Sequence, residues 1–215
     1  MQKKLAQSLV AAAVLLTGAS AFADTLDFEG ATSFASISNF YNGGTDSNGV
    51  GGGVNYGISF TGDALALSND ELGPYFSNAP TAGTVMFSAP GADTTMNVAK
   101  GFISELSFYY SAATSALDVV TIYSGLNGTG DVLGSISLSS NAQMNGCSDS
   151  AFCNWQKISL SFTGVGQSVS FGGNAGNVAF DNIAITSAVP EPQAAALLAL
   201  GMGGLLVAVR RQRRA

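Results

Sequence analysis

Segments in which apolar and polar residues alternate with a period of two recur along this chain. At 158–162, Ile-Ser-Leu-Ser-Phe, the apolar residues fall on one parity and the hydroxyl residues on the other. Successive side chains of a β-strand point to opposite faces, so this segment would place one face on a core and the other in water. Similar segments recur between clusters of Gly, Asn and Asp. The pattern predicts an all-β chain.

The strands can be located from the same pattern, and the clearest ones are predicted at 26–29, 56–61, 84–88, 103–110, 117–124, 132–138, 158–163, 168–171 and 178–186. Between two of them, the glycines and asparagine of residues 125–131 supply the positive φ values of a hairpin loop, so the flanking strands should pair antiparallel. Long loops are predicted at 42–53 and 69–81. About nine or ten strands over this length predict a two-sheet antiparallel β-sandwich of the jelly-roll kind.

The N-terminal end departs from this pattern. Two lysines precede a short apolar stretch at 9–16, and the small-residue triplet Ala21-Phe22-Ala23 follows. These are the three parts of a secretory signal, and the apolar stretch is short for a retained transmembrane helix. We therefore predict that residues 1–23 are a signal peptide and that the mature, exported chain begins at Asp24.

The C-terminal end departs from it as well. Val189 and the motif Pro190-Glu191-Pro192 precede an apolar run at 194–209. The run has about the length that a bilayer-spanning helix needs. It is followed by an arginine-rich end, formed by Arg210, Arg211, Arg213 and Arg214. Because arginines stay on the cytoplasmic side, this topology places everything before Pro190 outside the membrane.

The tail at 189–215 resembles the PEP-CTERM sorting signal of Gram-negative bacteria that make extracellular polysaccharide. Pro190, Glu191 and Pro192 match its motif, and the apolar run and basic end follow in the expected order. The resemblance implies that exosortase, a membrane transpeptidase, recognises the motif and processes the anchor. The protein would then lie in the inner membrane before processing, and afterwards at the cell surface or in the extracellular matrix.

Residues 24–188 are predicted to form one extracellular domain with a strong negative charge. Ten Asp and three Glu stand against Lys100 and Lys157, which leaves a net charge of −11 where the whole chain has −6. Such acidity disfavours nucleic acid and anionic lipid as partners and makes cations the natural counter-charge.

Cys147 and Cys153 enclose a short polar loop in a chain with an export signal, which predicts a disulfide. Closing so small a loop would contribute about 2 kcal/mol to stability. A metal or redox pair is the alternative, but the chain has no histidine and no Cys-x-x-Cys spacing.

A candidate metal site joins the two ends of the domain, because the first and last strands of jelly rolls often pair. In the last strand the apolar parity slips by one residue at Asp181-Asn182, which predicts a β-bulge. Together with Glu29, these residues would offer hard oxygen ligands to a structural Ca²⁺ ion. The alternative is that Asp181 and Asn182 hydrogen-bond the neighbouring loop. The domain is similar in style to β-sandwich domains of PEP-CTERM proteins, and carbohydrate-binding jelly rolls often hold a calcium ion between the corresponding strands.

Catalytic candidates are few. The absence of histidine excludes a Ser-His-Asp triad, and the acidic residues are scattered singly rather than paired. Sugar rings stack on exposed aromatic side chains, and Trp155, Tyr109 and Tyr75 are the candidates here, unless they are strand and core residues.

The sequence thus predicts a non-enzymatic surface or matrix protein, sorted by exosortase and associated with exopolysaccharide. Glycan binding is the sharper version of this prediction. A secreted glycan-active hydrolase and a self-assembling matrix subunit are the alternatives.

Overall fold

The computed structural model describes residues 23–61, 64–89, 94–172 and 176–188. The predicted sorting tail and all but the last residue of the predicted signal peptide lie outside these residues, so both remain predictions. Within the described residues, no helix has the length and hydropathy that crossing a membrane requires.

The described part of the chain is all-β, as the alternating pattern predicted, and its paired strands run antiparallel. Its strands are β1 (Ala23–Leu26), β2 (Ile58–Phe60), β3 (Ala64–Ser68), β4 (Thr84–Ser88), β5 (Thr95–Ala112), β6 (Ala116–Tyr123), β7 (Val132–Leu138), β8 (Gln156–Phe171) and β9 (Val178–Ser187). One turn of 3-10 helix, Met144–Gly146, lies between β7 and β8.

The strands form one continuous curled sheet rather than two separate sheets. The hydrogen-bonded order is β3-β4-β9-β5-β8-β6-β7, with β1 on β9 and β2 on β5. The long strands β5 and β8 run side by side through both halves of the sheet. Positive φ angles of 75° at Gly101 and 72° at Ser104 interrupt β5 where its register with β8 shifts. The first half of the sheet holds β2, β6 and β7, and the second half holds β1, β3, β4 and β9.

The two halves face each other across a main core of aromatic and aliphatic side chains. Phe171 on β8 and Phe180 on β9 lie in opposite halves, and their ring centroids are 4.9 Å apart. Phe108 on β5 contacts both rings. All three side chains are buried, so the inward-facing parity of the strands forms the layered core that the sequence predicted.

Several strands differ from the predicted ones, and β5 begins at Thr95 instead of at 103. β1 ends at Leu26 instead of continuing to 29, because Phe28 has a φ of 63° and the chain turns away from β9. The segments predicted at 158–163 and 168–171 are one strand, β8. The sequence pattern missed β3, whose Ala-Leu-Ala-Leu-Ser sequence lacks β-branched and aromatic residues.

A smaller outer cluster lies on the opposite face of the second half, over β3, β4 and β9. Two loops cover it: the β3–β4 loop (residues 69–83) and the disulfide loop (residues 139–155), which contains the predicted Cys147–Cys153 bond. The buried members of this outer cluster are Leu67, Phe76, Val85, Ala142, Phe152 and Ala179.

Candidate functional site

The predicted metal-binding residues meet where β9 changes its partner strand. β9 pairs with β4 up to Phe180 and with β1 from Ile183 onward, along the same edge. Asp181 and Asn182 therefore lie between the two partner strands. The chain leaving β1 and the β3–β4 loop entering β4 converge on this gap. We call Asp27, Glu29, Asp181 and Asn182 the acidic junction.

The predicted β-bulge is present at this junction. On the other side of β9, Ser107 pairs with Ala184 and Tyr109 pairs with Asp181. Two steps along β5 thus span three steps along β9, so β9 carries one extra residue. Asn182 takes up the irregularity with a left-handed φ of 48°, a conformation that asparagine tolerates better than most residues.

The β3–β4 loop lies over the buried carboxyl group of Asp181. The backbone N–H of Thr81 donates to Asp181 Oδ2 at 2.9 Å, and the N–H of Asn182 donates to Oδ1 at 2.7 Å. The Thr81 hydroxyl donates to Asn182 Oδ1 at 2.9 Å. The alternative reading of these residues, that they bind the neighbouring loop, is therefore realised in the structure.

Glu29 binds the end of the same loop, two residues after Thr81. Its Oε1 accepts the N–H groups of Gly83 and Thr84 at 2.9 Å and 3.0 Å. A Cβ atom at position 83 would collide with the Glu29 carboxylate, so this close approach depends on glycine. Asp27 completes the group, and its Oδ1 accepts the hydroxyl of the buried Tyr41 at 3.2 Å.

Burial and, to a smaller extent, the negative charges of Glu29 and Asp27 raise the pKa of Asp181 to about 7, although the two N–H donors act in the opposite direction. A cation placed among these carboxylates would offset the cost of ionising Asp181. The side chains of Asp181 and Asn182 already accept hydrogen bonds from Thr81. A Ca²⁺ ion would therefore have to share these oxygen atoms with Thr81 or displace the β3–β4 loop. Among the described residues, no group of three or more His, Cys, Asp or Glu side chains is placed to hold a metal, and calcium stays a prediction that relies on Asn182.

The acidic junction also bears on the hydrolase alternative. A raised pKa next to a second carboxylate is the combination that glycosidases use. Asp181 is fully buried, however, and backbone N–H groups hold both of its oxygens. The geometry thus gives a substrate no access to this carboxyl group.

The three predicted sugar-stacking residues lie in different surroundings. Trp155 packs edge-on against Phe76, and its Nε1–H donates to the carbonyl of Ser77 at 2.9 Å. This ring closes the outer cluster over the β3–β4 loop. Tyr109 lies half-buried on β5, and Lys157 Nζ sits 5.9 Å from its ring centroid.

Tyr75 belongs to an aromatic patch that the sequence did not reveal. Its ring meets Phe34 edge-to-face at 5.7 Å, and Phe34 meets Phe87 at 6.1 Å. We call these three residues the aromatic patch. Phe34 is 51% exposed and has a φ of 61°. The available signal was a phenylalanine among small polar residues outside every predicted strand.

Hydrogen bonds to β3 and to the start of the β3–β4 loop hold the aromatic patch in place. The N–H of Phe34 donates to the carbonyl of Ala66 on β3 at 2.8 Å. The Asn69 side chain accepts the N–H of Tyr75 at 2.9 Å. The Tyr75 hydroxyl donates to the Asp70 carboxylate at 3.4 Å. The patch therefore combines an apolar surface, held in place by hydrogen bonds, with a carboxylate and an amide at its rim.

No family model matches the chain, and none of the curated proteins compared with it matches. Among solved structures, the K2 adhesin domain of Lys-gingipain is 14% identical, with a TM-score of 0.45 over 77% of this chain and 99% of that one. CsCBM6-3 from Clostridium stercorarium, solved in complex with cellobiose, is 18% identical, with a TM-score of 0.37 over 60% and 87%. CBM29_1, a family 29 carbohydrate-binding module from Piromyces equi, is 11% identical, with a TM-score of 0.39 over 78% and 91%. Values of this size carry no conclusion about what this chain binds.

Proposed function

We propose that this chain is an exported, non-catalytic surface or matrix protein whose domain binds glycans through the aromatic patch. The observation that carries the proposal is Phe34, a half-exposed aromatic ring on a left-handed backbone. A bulky residue in this conformation costs about 1–3 kcal/mol, and such strain is concentrated at sites of ligand contact. Solvent exposure gives Phe34 little burial energy in return.

The chemistry of the patch suits a sugar. The apolar C–H face of a sugar ring stacks on an aromatic ring, while its hydroxyl groups seek carboxylate and amide partners. Phe34 and Tyr75 supply the rings, and Asp70 and Asn69 supply polar groups beside them. An exopolysaccharide strand, which repeats such units, is the ligand class that we propose.

The β3–β4 loop connects the patch to the acidic junction, because it carries Tyr75 near its middle and Thr81 near its C-terminal end. A Ca²⁺ ion bound at Asp181, Asn182 and Glu29 would therefore hold the segment that presents Tyr75. In this proposal the ion has a structural role and takes no part in chemistry.

Export and sorting form the second half of the proposal and rest on the sequence alone. The Ala21-Phe22-Ala23 site would release the domain from its signal peptide, and exosortase would act at Pro190-Glu191-Pro192. Localisation of a chain carrying Glu191→Ala, compared with the unaltered chain in a host with and without exosortase, tests this half independently of any ligand.

Glycan binding is tested with the exported chain on a glycan array, followed by affinity electrophoresis in gels containing the exopolysaccharide. Phe34→Ser and Tyr75→Ser should each lower the affinity about tenfold or more while leaving the melting temperature nearly unchanged. Leu117→Ser is the matched control, because Leu117 is 84% exposed on β6 in the other half of the sheet. Equal affinities in all four proteins would overturn the proposal.

A further inference from the structure

The rim of the aromatic patch carries a carboxylate that is held in one position. Asp70 is exposed at the start of the β3–β4 loop. The N–H of Leu72 donates to its Oδ1 at 2.8 Å, and the Tyr75 hydroxyl donates to its Oδ2 at 3.4 Å. A carboxylate has about four acceptor sites. The Asp70 carboxylate is therefore fixed beside an aromatic ring and can still accept hydrogen bonds from a ligand.

The negative charge of this rim is not neutralised within the domain. The described residues contain two basic side chains, Lys100 on β5 and Lys157 on β8, and neither bonds Asp70. Lys157 lies over the ring of Tyr109 instead. Glu71, the next residue after Asp70, is a second exposed carboxylate. The counter-charge at this rim has to come from solvent ions or from a ligand.

Charge divides the possible polysaccharide ligands into three classes. Chains of uronic acids or sulfated sugars are anionic, and a domain with a net charge of −11 over residues 24–188 repels them. Neutral sugars are neither repelled nor attracted. Sugars with free amino groups carry a positive charge when the amine is protonated, so the domain attracts them.

The aromatic rings favour the same positively charged class. The face of an aromatic ring attracts a cation, and rings grouped around a site are the usual means of binding an ammonium group. Phe34 contacts both Tyr75 and Phe87 edge-to-face, and its ring is half-exposed. The Asp70 carboxylate stands at the margin of these rings. An ammonium group on a stacked sugar would thus meet ring faces and a carboxylate together.

We propose that the aromatic patch binds a polysaccharide whose sugar units carry free amino groups, and that Asp70 selects the charged amine. This inference rests on the proposed function and specifies the chemistry of the sugar. An N-acetylated sugar of the same ring structure keeps the apolar face that stacks on Phe34 and loses the charge. It is therefore the matched ligand against which the selectivity can be measured.

The test is calorimetric titration of the exported chain with two oligosaccharides of equal length, a glucosamine oligomer and its N-acetylated counterpart. At a pH where the amine is protonated, the glucosamine oligomer should bind about fivefold or more tightly. This advantage should shrink as salt rises from about 20 mM to about 500 mM, because salt screens the attraction between exposed charges. The affinity for the N-acetylated oligomer should change little over the same range.

Two charge variants locate the selectivity. Asp70→Asn should lower the affinity for the glucosamine oligomer about threefold or more and leave the affinity for the N-acetylated oligomer nearly unchanged. Asp131→Asn removes the same charge from an exposed residue of the β6–β7 loop, in the first half of the sheet. It should leave both affinities unchanged. Melting temperatures verify that both variants fold.

The outcomes separate this inference from the proposed function. Equal affinities for the two oligomers, both lost in Phe34→Ser, would overturn the selectivity and keep the glycan site. Equal losses in Asp70→Asn and Asp131→Asn would also overturn it, because they would show a general attraction to the acidic domain. Binding of neither oligomer would overturn the inference as well, while the glycan array decides the proposed function separately.

Discussion

The main core and the outer cluster of this protein are held together by different means. The main core lies between the two halves of one sheet, and Phe108, Phe171 and Phe180 reach it from strands with extensive hydrogen-bonded ladders. The outer cluster lies between the sheet and two loops. Those loops join each other through a short parallel bridge between Phe76 and Phe152 and through the Trp155 indole.

The difference separates the scaffold from the recognition surface. Both candidate sites adjoin the β3–β4 loop: the aromatic patch through Tyr75 and the acidic junction through Thr81. Loops that carry function on a rigid support can open locally at a lower free energy than the support itself. We therefore expect perturbations of the outer cluster to alter binding first, and perturbations of the main core to unfold the whole domain.

The largest effect should come from truncating a main-core ring. Phe108→Ala should lower the free energy of unfolding by about 3–5 kcal/mol, because Phe108 is fully buried and contacts Phe171 and Phe180. Phe76→Ala, in the outer cluster, should cost less because its two covering loops can settle into the space. Denaturant titration of both variants tests the contrast, and an equal or larger loss for Phe76→Ala would contradict it.

Calcium should stabilise the loop side of the molecule. At an ion concentration about 100 times the dissociation constant, binding adds about 2.7 kcal/mol to the free energy of unfolding. Melting curves with chelator and with added Ca²⁺ measure this gain. Glu29→Gln and Gly83→Ala should abolish it, because one removes a ligand charge and the other displaces the Glu29 carboxylate.

Glu105→Gln is the control for this experiment, since Glu105 is an exposed carboxylate on β5 that bonds Ser159. It should respond to calcium as the unaltered chain does. If the unaltered chain shows no calcium-dependent rise, Asp181, Asn182 and Thr81 act only as a loop anchor.

Removing the disulfide should sharpen the comparison further. Cys147→Ser with Cys153→Ser should cost about 2 kcal/mol, since the bond closes a small loop. Hydrogen exchange should accelerate in residues 69–83 and 139–155, because Asn78 Nδ2 donates to the Cys153 carbonyl. Faster exchange throughout β5 and β8 to the same degree would show instead that the two regions unfold as one.

The last prediction concerns the dependence of stability on pH. Burial raises the pKa of Asp181 from 3.8 to about 7, so the folded state binds its proton more tightly than the unfolded state. The stability gained from this group is complete below pH 3.8 and is lost as the pH rises to about 7. Asp181→Asn should remove this decline from the pH profile of the melting temperature. A profile unchanged by the substitution would mean that Asp181 binds its proton equally well in the folded and unfolded states.

Sequence reasoning recovered the strands better than the surfaces. The bounds of β4 and β7 match the predicted segments, and the pairing of β1 with β9 was also expected. Those features follow from alternation, which a sheet with one buried face imposes on every residue. Alternation does not record which loop folds over an outer face, so Thr81 and Phe34 were not identified.

More residues of the acidic junction than of the aromatic patch were predicted as a site from the sequence, for a related reason. The parity slip at Asp181-Asn182 lies within one strand segment of the sequence, and the β-bulge was predicted from it. The patch joins Phe34, Tyr75 and Phe87 from two loops and a strand, across long sequence separations. No local pattern connects residues that meet only through tertiary packing.

The position of β9 has a mechanical consequence. β1 and β4 flank this strand on one side and β5 on the other, and Ser187 bonds the Asp24 carboxylate at 2.6 Å. A pulling force applied to the chain after residue 188 therefore acts along a strand that is hydrogen-bonded to neighbouring strands on both sides. Its hydrogen bonds are loaded together in shear instead of being unzipped one by one. A force applied by a ligand at the aromatic patch would thus distort the β3–β4 loop before it could pull β9 out of the sheet.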